Sequence, residues 1–372
     1  MQIEDFFKII NCDFYTGVPD SQLKTLCDYL MNKYGIHKRH HIIAVNEGNA
    51  VALAAGYNLA TGKIPVVYMQ NSGQGNVINP IASLLNKNIY AIPTIFIIGW
   101  RGEPNIKDEP QHVFQGEITL KLLNDMDIEY FIVSDKTSIE ELIEVRKNFN
   151  ISLEKGKQVA FVIKKGSLIN SEKFSYKNDN QMTREDIIEQ ITKFSEEDLI
   201  ISTTGKASRE LFEIREKNKQ SHKYDFLTVG SMGHASSIAL SIALNKPSKK
   251  IWCIDGDGAL LMHLGAMALI GANNPSNLIH IVVNNSAHET VGGMPTVASD
   301  IDICKIALGC GYKNVICVDN FKTLDDALQK AQKSQELYLI EVKCSIGARK
   351  DLGRPTISPI ENKNNFMNYL NK

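Results

Sequence analysis

Short apolar runs alternate with longer amphipathic or alanine-rich segments along most of the chain, and this alternation predicts its secondary structure. In the first half, helices are expected most clearly at 49–60, 77–86 and 139–148. Strands that alternate with helices predict a mainly parallel sheet with helices on both faces. The strands predicted in this half are 41–45, 65–70, 94–99, 130–133 and 159–163.

A second α/β half follows a polar segment. Residues 164–181 (KKGSLINSEKFSYKNDNQ) lack apolar periodicity and predict a linker, and Thr183 with Asp186 is typical of a capped helix start. The strands predicted beyond it are 199–202, 226–229, 251–254, 278–283, 315–318 and 337–342. The sequence therefore predicts α/β domains at 1–165 and 183–372 with a linker at 166–182. The two halves are similar in pattern only, because no internal sequence repeat relates them.

Composition and charge exclude several classes of protein. A chain of 372 residues can form two domains with separate cores, and its 41 basic and 42 acidic residues leave no basic stripe for nucleic acid. The longest apolar run, 89–100, is too short to span a bilayer, and the N-terminus carries acids where a secretory signal has bases. The seven cysteines contain no CxxC pair, which indicates reduced core residues of a cytoplasmic protein.

The strongest chemical signal lies at 251–288. The apolar strand 251–254 is followed by Asp255-Gly-Asp257-Gly258, a helix is predicted at 259–271, and the next strand, 278–283, is followed by Asn284-Asn285. Strand ends beside a helix N-terminus bind phosphate, because free backbone N–H groups and the helix dipole favour anions. A carboxylate there would repel a diphosphate unless a divalent cation lay between them, so the pattern suggests bridging Mg²⁺. The alternative is an Asp-Gly turn with an asparagine pair that caps a helix.

The spacing of this motif resembles a known family. Gly-Asp-Gly followed by 25 residues and Asn-Asn is similar to the signature of the thiamine-diphosphate-dependent 2-oxoacid decarboxylases. The resemblance implies that thiamine diphosphate is the cofactor and that Mg²⁺ is held by the side chains of Asp257 and Asn285 and by the backbone carbonyl of Ala287. It also implies that the cofactor contacts Gly256, Gly258 and Ala259.

Glu47 lies at the end of a predicted strand and at the start of an alanine-rich helix. Considered alone, an acid in the first helical turn is an ordinary feature. Its setting, Asn-Glu followed by spaced alanines and Gly-Tyr57, resembles the family's strand-end glutamate. The resemblance implies that Glu47 shares a proton with N1′ of the aminopyrimidine ring, so that the 4′-imino group can remove the C2 proton and form the ylid.

The order of the motifs also fits the decarboxylases. Glu47 precedes the Gly-Asp-Gly motif, and a linker stands where larger members have a middle domain. The resemblance therefore implies two thiamine-diphosphate-binding-fold domains, with the pyrimidine-binding domain first and the diphosphate-binding domain second. Such domains pair between subunits in the family, so we expect self-association with active sites at the subunit interface.

Two more segments resemble cofactor-binding loops. Gly230-Ser-Met232 follows the predicted strand at 226–229, and the resemblance implies a hydrogen bond from the 4′-amino group to the Gly230 carbonyl. Met232 would wedge between the two cofactor rings and hold them in position. A glycine-rich turn with a core methionine is the alternative. Gly73 and Gln74, at the start of a predicted helix, are expected to face the cofactor.

Residues 15–21, 101–112, 285–289 and 349–355 resemble the phosphonopyruvate and sulfopyruvate decarboxylase branch. The resemblance implies decarboxylation of 3-phosphonopyruvate to phosphonoacetaldehyde and CO₂. Sulfopyruvate decarboxylation is the first alternative, and a non-catalytic thiamine-diphosphate-binding subunit is the second.

A phosphonate head group requires fixed positive charge, which arginine and lysine supply. The expected substrate-binding residues are Ser21, Arg101, Lys107, Arg349 and Arg354. The residues expected to transfer protons, besides Glu47, are Asp20, His112 and His288. Glu289 does not have the spacing of the glutamate that follows the asparagine ligand in larger members, so no role is assigned to it.

Overall fold

The computed structural model describes residues 1–371, and the side chains of all of them except Thr290. The chain divides into two compact units, Met1–Ser175 and a second unit that starts at Tyr176. The division lies within the predicted linker, where residues 164–181 form a single β-bridge at Ile169 and no helix or strand. Assignment of the units to the two ends of a cofactor stays a prediction.

The first unit is a six-stranded parallel sheet with helices between its strands. Its strands are β1 (Tyr15–Gly17), β2 (His41–Ile43), β3 (Val66–Gln70), β4 (Thr94–Gly99), β5 (Glu129–Val133) and β6 (Gln158–Ile163). Its helices are α1 (Ile3–Ile10), α2 (Lys24–Tyr34), α3 (Glu47–Thr61), α4 (Gln74–Pro80), α5 (Pro110–Asp125) and α6 (Ile139–Glu154). Every residue of β4 and β6 is buried, because helices cover both faces of the sheet.

The second unit has another six-stranded parallel sheet and a small antiparallel hairpin. Its strands are β7 (Leu199–Ser202), β8 (Asp225–Leu227), β9 (Ile251–Gly256), β10 (Leu278–Asn284), β11 (Ala287–His288), β12 (Met294–Pro295), β13 (Asn314–Val318) and β14 (Tyr338–Lys343). Its helices are α7 (Arg184–Ser195), α8 (Lys206–Lys217), α9 (Ala235–Asn245), α10 (Asp257–Met262), α11 (Gly265–Asn273), α12 (Ile303–Gly309), α13 (Phe321–Lys333) and α14 (Pro359–Leu370).

The two large sheets have the same topology. Their spatial orders are β2-β1-β3-β4-β6-β5 and β8-β7-β9-β10-β14-β13. If the six strands of each sheet are numbered along the chain, both orders are 2-1-3-4-6-5. In sheets of this kind, ligands bind beside the carboxyl ends of the first and third strands, where the strand order reverses. Each unit therefore has one candidate crevice, at β1 and β3 in the first and at β7 and β9 in the second.

The predicted fold class, two parallel α/β domains without a middle domain, is confirmed. Among the elements that differ from the prediction, two lie near predicted site residues. β1 was not predicted, because three residues are too few to show a periodicity. The helix predicted at 259–271 is interrupted after Met262, where His263 leaves helical geometry and packs against Gly233. Among the described residues, none of the helices combines the length and hydrophobicity needed to span a bilayer.

Candidate active site

Glu47 is the first residue of α3, just beyond the carboxyl end of β2. The side chain of Asn46 caps this helix by accepting a hydrogen bond from the backbone N–H of Asn49 at 2.8 Å. Glu47 is only 5% exposed, and its Oε2 accepts a hydrogen bond from Nδ2 of Asn76 at 2.7 Å. Within the described part of the chain, Oε1 makes no hydrogen bond. A buried carboxylate with one unpaired oxygen can exchange a proton with a ligand nitrogen.

Gly73 leaves the space that the Glu47 side chain occupies. A Cβ atom at Gly73 would lie 2.5 Å from Cγ and 2.6 Å from Oε1 of Glu47, closer than packed atoms can approach. The structure therefore brings the predicted residues Gly73 and Glu47 together. The neighbouring side chain of Gln74 points into the core, where its Nε2 donates to the backbone carbonyl of Thr119 at 3.2 Å.

Asp20 follows β1 and is fully buried. Its Oδ1 accepts a hydrogen bond from Nε2 of Gln70 at 2.5 Å, and Oε1 of Gln70 accepts one from Ser72 Oγ at 2.8 Å. Gly99 allows this packing, because a Cβ there would lie 2.3 Å from Asp20 Oδ2. Burial raises the pKa of Asp20, and the hydrogen bond from Gln70 opposes that rise only in part. A carboxyl group in this environment can retain a proton and serve as a general acid.

Arg101 follows β4 and meets one other predicted substrate residue. Its Nη1 donates to Ser21 Oγ at 3.1 Å, while Nε and Nη2 donate to the two carboxylate oxygens of Asp108, the first at 2.7 Å. This arginine holds the pKa of the Asp108 carboxyl well below its usual range. Asp108 was not predicted as a site residue, because a carboxylate seven positions away in a polar loop is a weak signal.

Asn71, at the end of β3, fixes the backbone of Arg101. It is fully buried, its Nδ2 donates to the Arg101 carbonyl at 2.7 Å, and its Oδ1 accepts from the Arg101 N–H at 3.1 Å. Sequence reasoning missed this residue. Lys107 is exposed in the loop that follows Arg101, and His112 lies in the first turn of α5, where its backbone N–H donates to the Glu109 carbonyl at 2.8 Å.

Asp257 begins α10 in the second unit and is 3% exposed. Its Oδ2 accepts a hydrogen bond from Thr296 Oγ1 at 2.5 Å, and burial raises its pKa to about 6. No ion pair to Asp257 forms within residues 1–371. A buried carboxylate without a cation fits a site for a divalent metal ion, which prefers oxygen ligands and would supply the missing positive charge.

Asn285 follows β10 and is 6% exposed. Its Oδ1 accepts a hydrogen bond from the backbone N–H of Ala287 at 3.0 Å, and its Nδ2 donates to Glu289 Oε2 at 2.9 Å. Ser286, which lies between Asn285 and Ala287, has a left-handed backbone with φ of 55°. Its N–H donates to Asn284 Oδ1 at 2.9 Å. Such strain in a non-glycine residue is common at ligand-binding turns.

Hydrogen bonds place Asp257, Asn285 and the backbone N–H of Ala287 in one cluster. The backbone N–H of Asn285 approaches the Asp257 carboxylate and lowers its pKa, though by less than burial raises it. The hairpin residue Thr296 bonds to Asp257 through its hydroxyl and to the Ser286 carbonyl through its N–H at 2.9 Å. The described residues contain no group of three or more His, Cys, Asp or Glu that could hold a metal. The three predicted ligands do not form such a group, because only one of them, Asp257, belongs to these four residue types.

Gly258 brings together two other predicted residues. A Cβ at Gly258 would lie 3.1 Å from His288 Nδ1 and 3.3 Å from Met232 Cε. Burial lowers the pKa of His288 to about 4, so this imidazole is neutral at neutral pH. Gly230 belongs to the same loop as Met232, and the carbonyl of Ala259 lies beside Gly233 of that loop. Gly256 is extended, and a Cβ there would meet no atom within 4 Å.

Arg349 and Arg354 lie near the end of the second unit. Arg349 Nε donates to both carboxylate oxygens of Glu185, at 2.9 and 3.1 Å, and the guanidinium also pairs with Glu213 and Asp351. Three carboxylates thus pair with Arg349, and its role in substrate binding stays a prediction. Arg354 is exposed five residues further on.

Two family models match the chain. The model described as thiamine pyrophosphate enzyme, N-terminal TPP binding domain, matches residues 2–126. The model described as thiamine pyrophosphate enzyme, C-terminal TPP binding domain, matches residues 203–342. The first match lies in the first structural unit and the second in the second unit.

Curated relatives carry two activities in their names. Phosphonopyruvate decarboxylase of Streptomyces viridochromogenes is 32% identical, with 95% of this chain and 90% of that protein aligned. Sulfopyruvate decarboxylase of Methanosarcina acetivorans is 28% identical, with 98% and 97% aligned. Sulfopyruvate decarboxylase subunit beta of Methanococcus maripaludis is 30% identical over 52% of this chain and 100% of that subunit.

Proposed function

Because the chain belongs to the thiamine pyrophosphate enzymes, as a decarboxylase of the phosphonopyruvate and sulfopyruvate branch, we propose that its substrate is 3-phosphonopyruvate. The products are then phosphonoacetaldehyde and CO₂. The observation that carries the choice is Arg101, which lies beside Ser21 and just beyond β4, the neighbour of β3. Nε and Nη2 of Arg101 are held by Asp108, so Nη1, which donates to Ser21 Oγ, would contact the phosphonate. A phosphonate carries more negative charge than a sulfonate for this cation to bind.

The proposed cofactors are thiamine diphosphate and Mg²⁺. Asp257, Asn285 and the Ala287 carbonyl would hold the metal, because they supply oxygen ligands around a buried carboxylate that forms no ion pair among the described residues. Glu47 would hold a proton at N1′ of the aminopyrimidine, while Met232 and the Gly230 carbonyl would orient that ring. When bound, the cofactor supplies the electron sink that decarboxylation requires. Asp20 can then retain a proton for delivery, because burial raises its pKa.

The substrate proposal predicts a selective effect of Arg101→Ala. We expect KM to rise about 10- to 100-fold for phosphonopyruvate, since a charged hydrogen bond contributes roughly 1.5–3 kcal/mol, and to change far less for pyruvate. The measurement is steady-state release of aldehyde from phosphonopyruvate, sulfopyruvate and pyruvate side by side. If wild type prefers sulfopyruvate, the protein is a sulfopyruvate decarboxylase, and absence of turnover with all three indicates a non-catalytic cofactor-binding subunit.

A control is required because Arg101→Ala leaves the Asp108 carboxylate unpaired, and that charge alone would repel the substrate. The double variant Arg101→Ala with Asp108→Ala removes both charges. In this double variant, KM should still rise more for phosphonopyruvate than for pyruvate. Equal losses for phosphonopyruvate and pyruvate in the double variant would mean that Arg101 supports the fold and does not bind the phosphonate.

We also propose that the active enzyme is at least a dimer with shared active sites. Glu47 lies in the first unit, whereas Asp257 and Asn285 lie in the second. Two domains of the same topology can pair with approximate two-fold symmetry, and the sulfopyruvate decarboxylase of Methanococcus maripaludis has separate alpha and beta subunits that each match part of this chain. The first unit of one chain would then complete the second unit of another.

Subunit mixing tests this arrangement. Glu47→Gln and Asp257→Ala are each expected to be inactive alone, but each mixed dimer contains one site in which neither substitution falls. An equal mixture should therefore recover about a quarter of wild-type activity if subunits exchange at random. Differently tagged subunits report the exchange. If exchange occurs and activity does not return, each chain forms its own site.

A further inference from the structure

We propose that Glu289 is a positioning residue, which fixes the Asn285 side-chain amide so that its Oδ1 faces the metal ion. The inference rests on the Mg²⁺ site proposed above. An asparagine amide can turn over with little change in shape, yet only one of its two ends can bind a cation. A ligand of this kind therefore needs a neighbour that distinguishes its oxygen from its nitrogen.

Glu289 makes that distinction. Nδ2 of Asn285 donates to Oε2 of Glu289 at 2.9 Å. An ionised carboxylate can only accept hydrogen bonds, so the amide nitrogen must face Glu289 and the amide oxygen must face the other way. There, Oδ1 accepts one hydrogen bond from the Ala287 N–H at 3.0 Å. Its second lone pair remains available for a metal ion.

Two cations pair with the Glu289 carboxylate. Arg184 Nη1 donates to Oε2 at 2.9 Å, and Lys206 Nζ donates to Oε1 at 2.7 Å. Both oxygens of Glu289 are thus surrounded by donors, so this side chain acts as a hydrogen-bond acceptor towards Asn285.

Arg184 is itself held in place. Its Nε and Nη2 donate to the two carboxylate oxygens of Glu210 at 2.6 and 2.8 Å, which joins the start of α7 to α8. The cluster contains two cations and two carboxylates, so the charge of Glu289 is already balanced within it. Glu289 is thus suited to orient a metal ligand and poorly suited to bind the metal itself.

The test is Glu289→Gln. The new amide presents a donor to at least one of its donor neighbours, Asn285, Arg184 and Lys206, so the Asn285 amide is held less firmly by Glu289 and keeps only the Ala287 N–H as a selective partner. We expect the affinity for Mg²⁺, measured by calorimetry with thiamine diphosphate present, to fall about 10- to 100-fold, as for other residues that orient metal ligands. Glu189→Gln is the matched control, because Glu189 pairs with Lys217 between the same two helices on the surface, and it should leave the affinity unchanged.

The background Asn285→Asp separates positioning from a general structural role. In Asn285→Asp, the carboxylates at positions 285 and 289 face each other and repel. Adding Glu289→Gln restores a complementary pair, because the amide at position 289 can donate to the carboxylate at position 285. Glu289→Gln should therefore weaken Mg²⁺ binding in the wild-type background and strengthen it in the Asn285→Asp background. This reversal is a coupling between neighbours that a loss of stability alone would not produce.

The possible outcomes distinguish the inference from the proposed function. If wild type binds thiamine diphosphate equally with and without Mg²⁺, the proposed metal site is wrong. If wild type requires Mg²⁺ and Glu289→Gln binds it equally well, only the positioning role is wrong. Melting temperatures show whether Glu289→Gln folds. If it does not, the Mg²⁺ affinities of Asn285→Asp and of the double variant are compared. If the double variant does not bind Mg²⁺ more tightly than Asn285→Asp, the inference is overturned.

Discussion

Replacement of Asp257 by alanine is expected to abolish Mg²⁺-dependent binding of thiamine diphosphate while the second unit remains folded. Asp257 is the one carboxylate among the three proposed ligands, and its loss removes the main attraction for the cation. Loss of a residue that only orients a ligand already costs about 10- to 100-fold in metal affinity, so we expect at least the upper end of that range. Titration of the cofactor by calorimetry with and without Mg²⁺ measures the effect.

Stability provides an independent readout. Burial raises the pKa of Asp257 to about 6, so the metal-free protein gives up this proton less readily than its unfolded chain. The protonated Asp257 carboxyl therefore contributes to the free energy of unfolding at low pH. This contribution falls as pH rises from about 4 towards 6, and above this window the buried charge destabilises the metal-free fold. Asp257→Asn should therefore be at least as stable as wild type at neutral pH without Mg²⁺, although it binds cofactor weakly. A large loss of stability would instead indicate a structural aspartate.

The pH dependence of cofactor binding follows from the same group. Protons compete with Mg²⁺ for Asp257, so Mg²⁺-dependent binding in wild type should weaken as pH falls below about 6. Asp257→Asn should lack this decline. Asp255→Asn is the matched control, because Asp255 is equally buried on β9 and is not a proposed ligand. It should bind cofactor in the Mg²⁺-dependent manner of wild type.

The fold class could be predicted because the central strands are buried on both faces and so appear as continuous apolar runs, as in β4 and β10. The strand order could not be predicted, because it depends on which strands pair and no local pattern records that choice. The missed β1 shows the same limit, since three residues are held in place by their neighbours β2 and β3.

Residues of the candidate site were predictable where their role follows from a strand end and a local motif. Asp257 begins a helix directly after β9, Glu47 begins one shortly after β2, and each lies in a motif with defined spacing. The residues that support them were not predictable. Arg184 contacts Glu289 across 105 positions of sequence, and Asn71 contacts Arg101 across 30. Such partners are set by tertiary packing and leave no signal in the spacing.

Glu47→Gln is expected to bind thiamine diphosphate with nearly wild-type affinity and to lose proton exchange at C2 of the bound cofactor. Glutamine keeps the shape and can still accept the hydrogen bond that Asn76 donates at 2.7 Å, but it cannot take up and return a proton at N1′. Proton transfer by a positioned side chain contributes about 10²- to 10⁴-fold, so the rate should fall by that factor. Deuterium exchange at C2, followed by NMR after acid quenching, measures it.

Gly73→Ala tests the same carboxylate without altering its chemistry. The new methyl group would lie 2.5 Å from Glu47 Cγ, so the side chain must move, whereas Gly75→Ala adds a methyl group that meets no atom within 4 Å. Gly73→Ala should therefore slow exchange at C2, and Gly75→Ala should not. If Glu47→Gln exchanges at the wild-type rate, Glu47 takes no part in proton removal. If Gly73→Ala exchanges at the wild-type rate while Glu47→Gln does not, the site tolerates the displaced Glu47 side chain, and Glu47 keeps its proposed role.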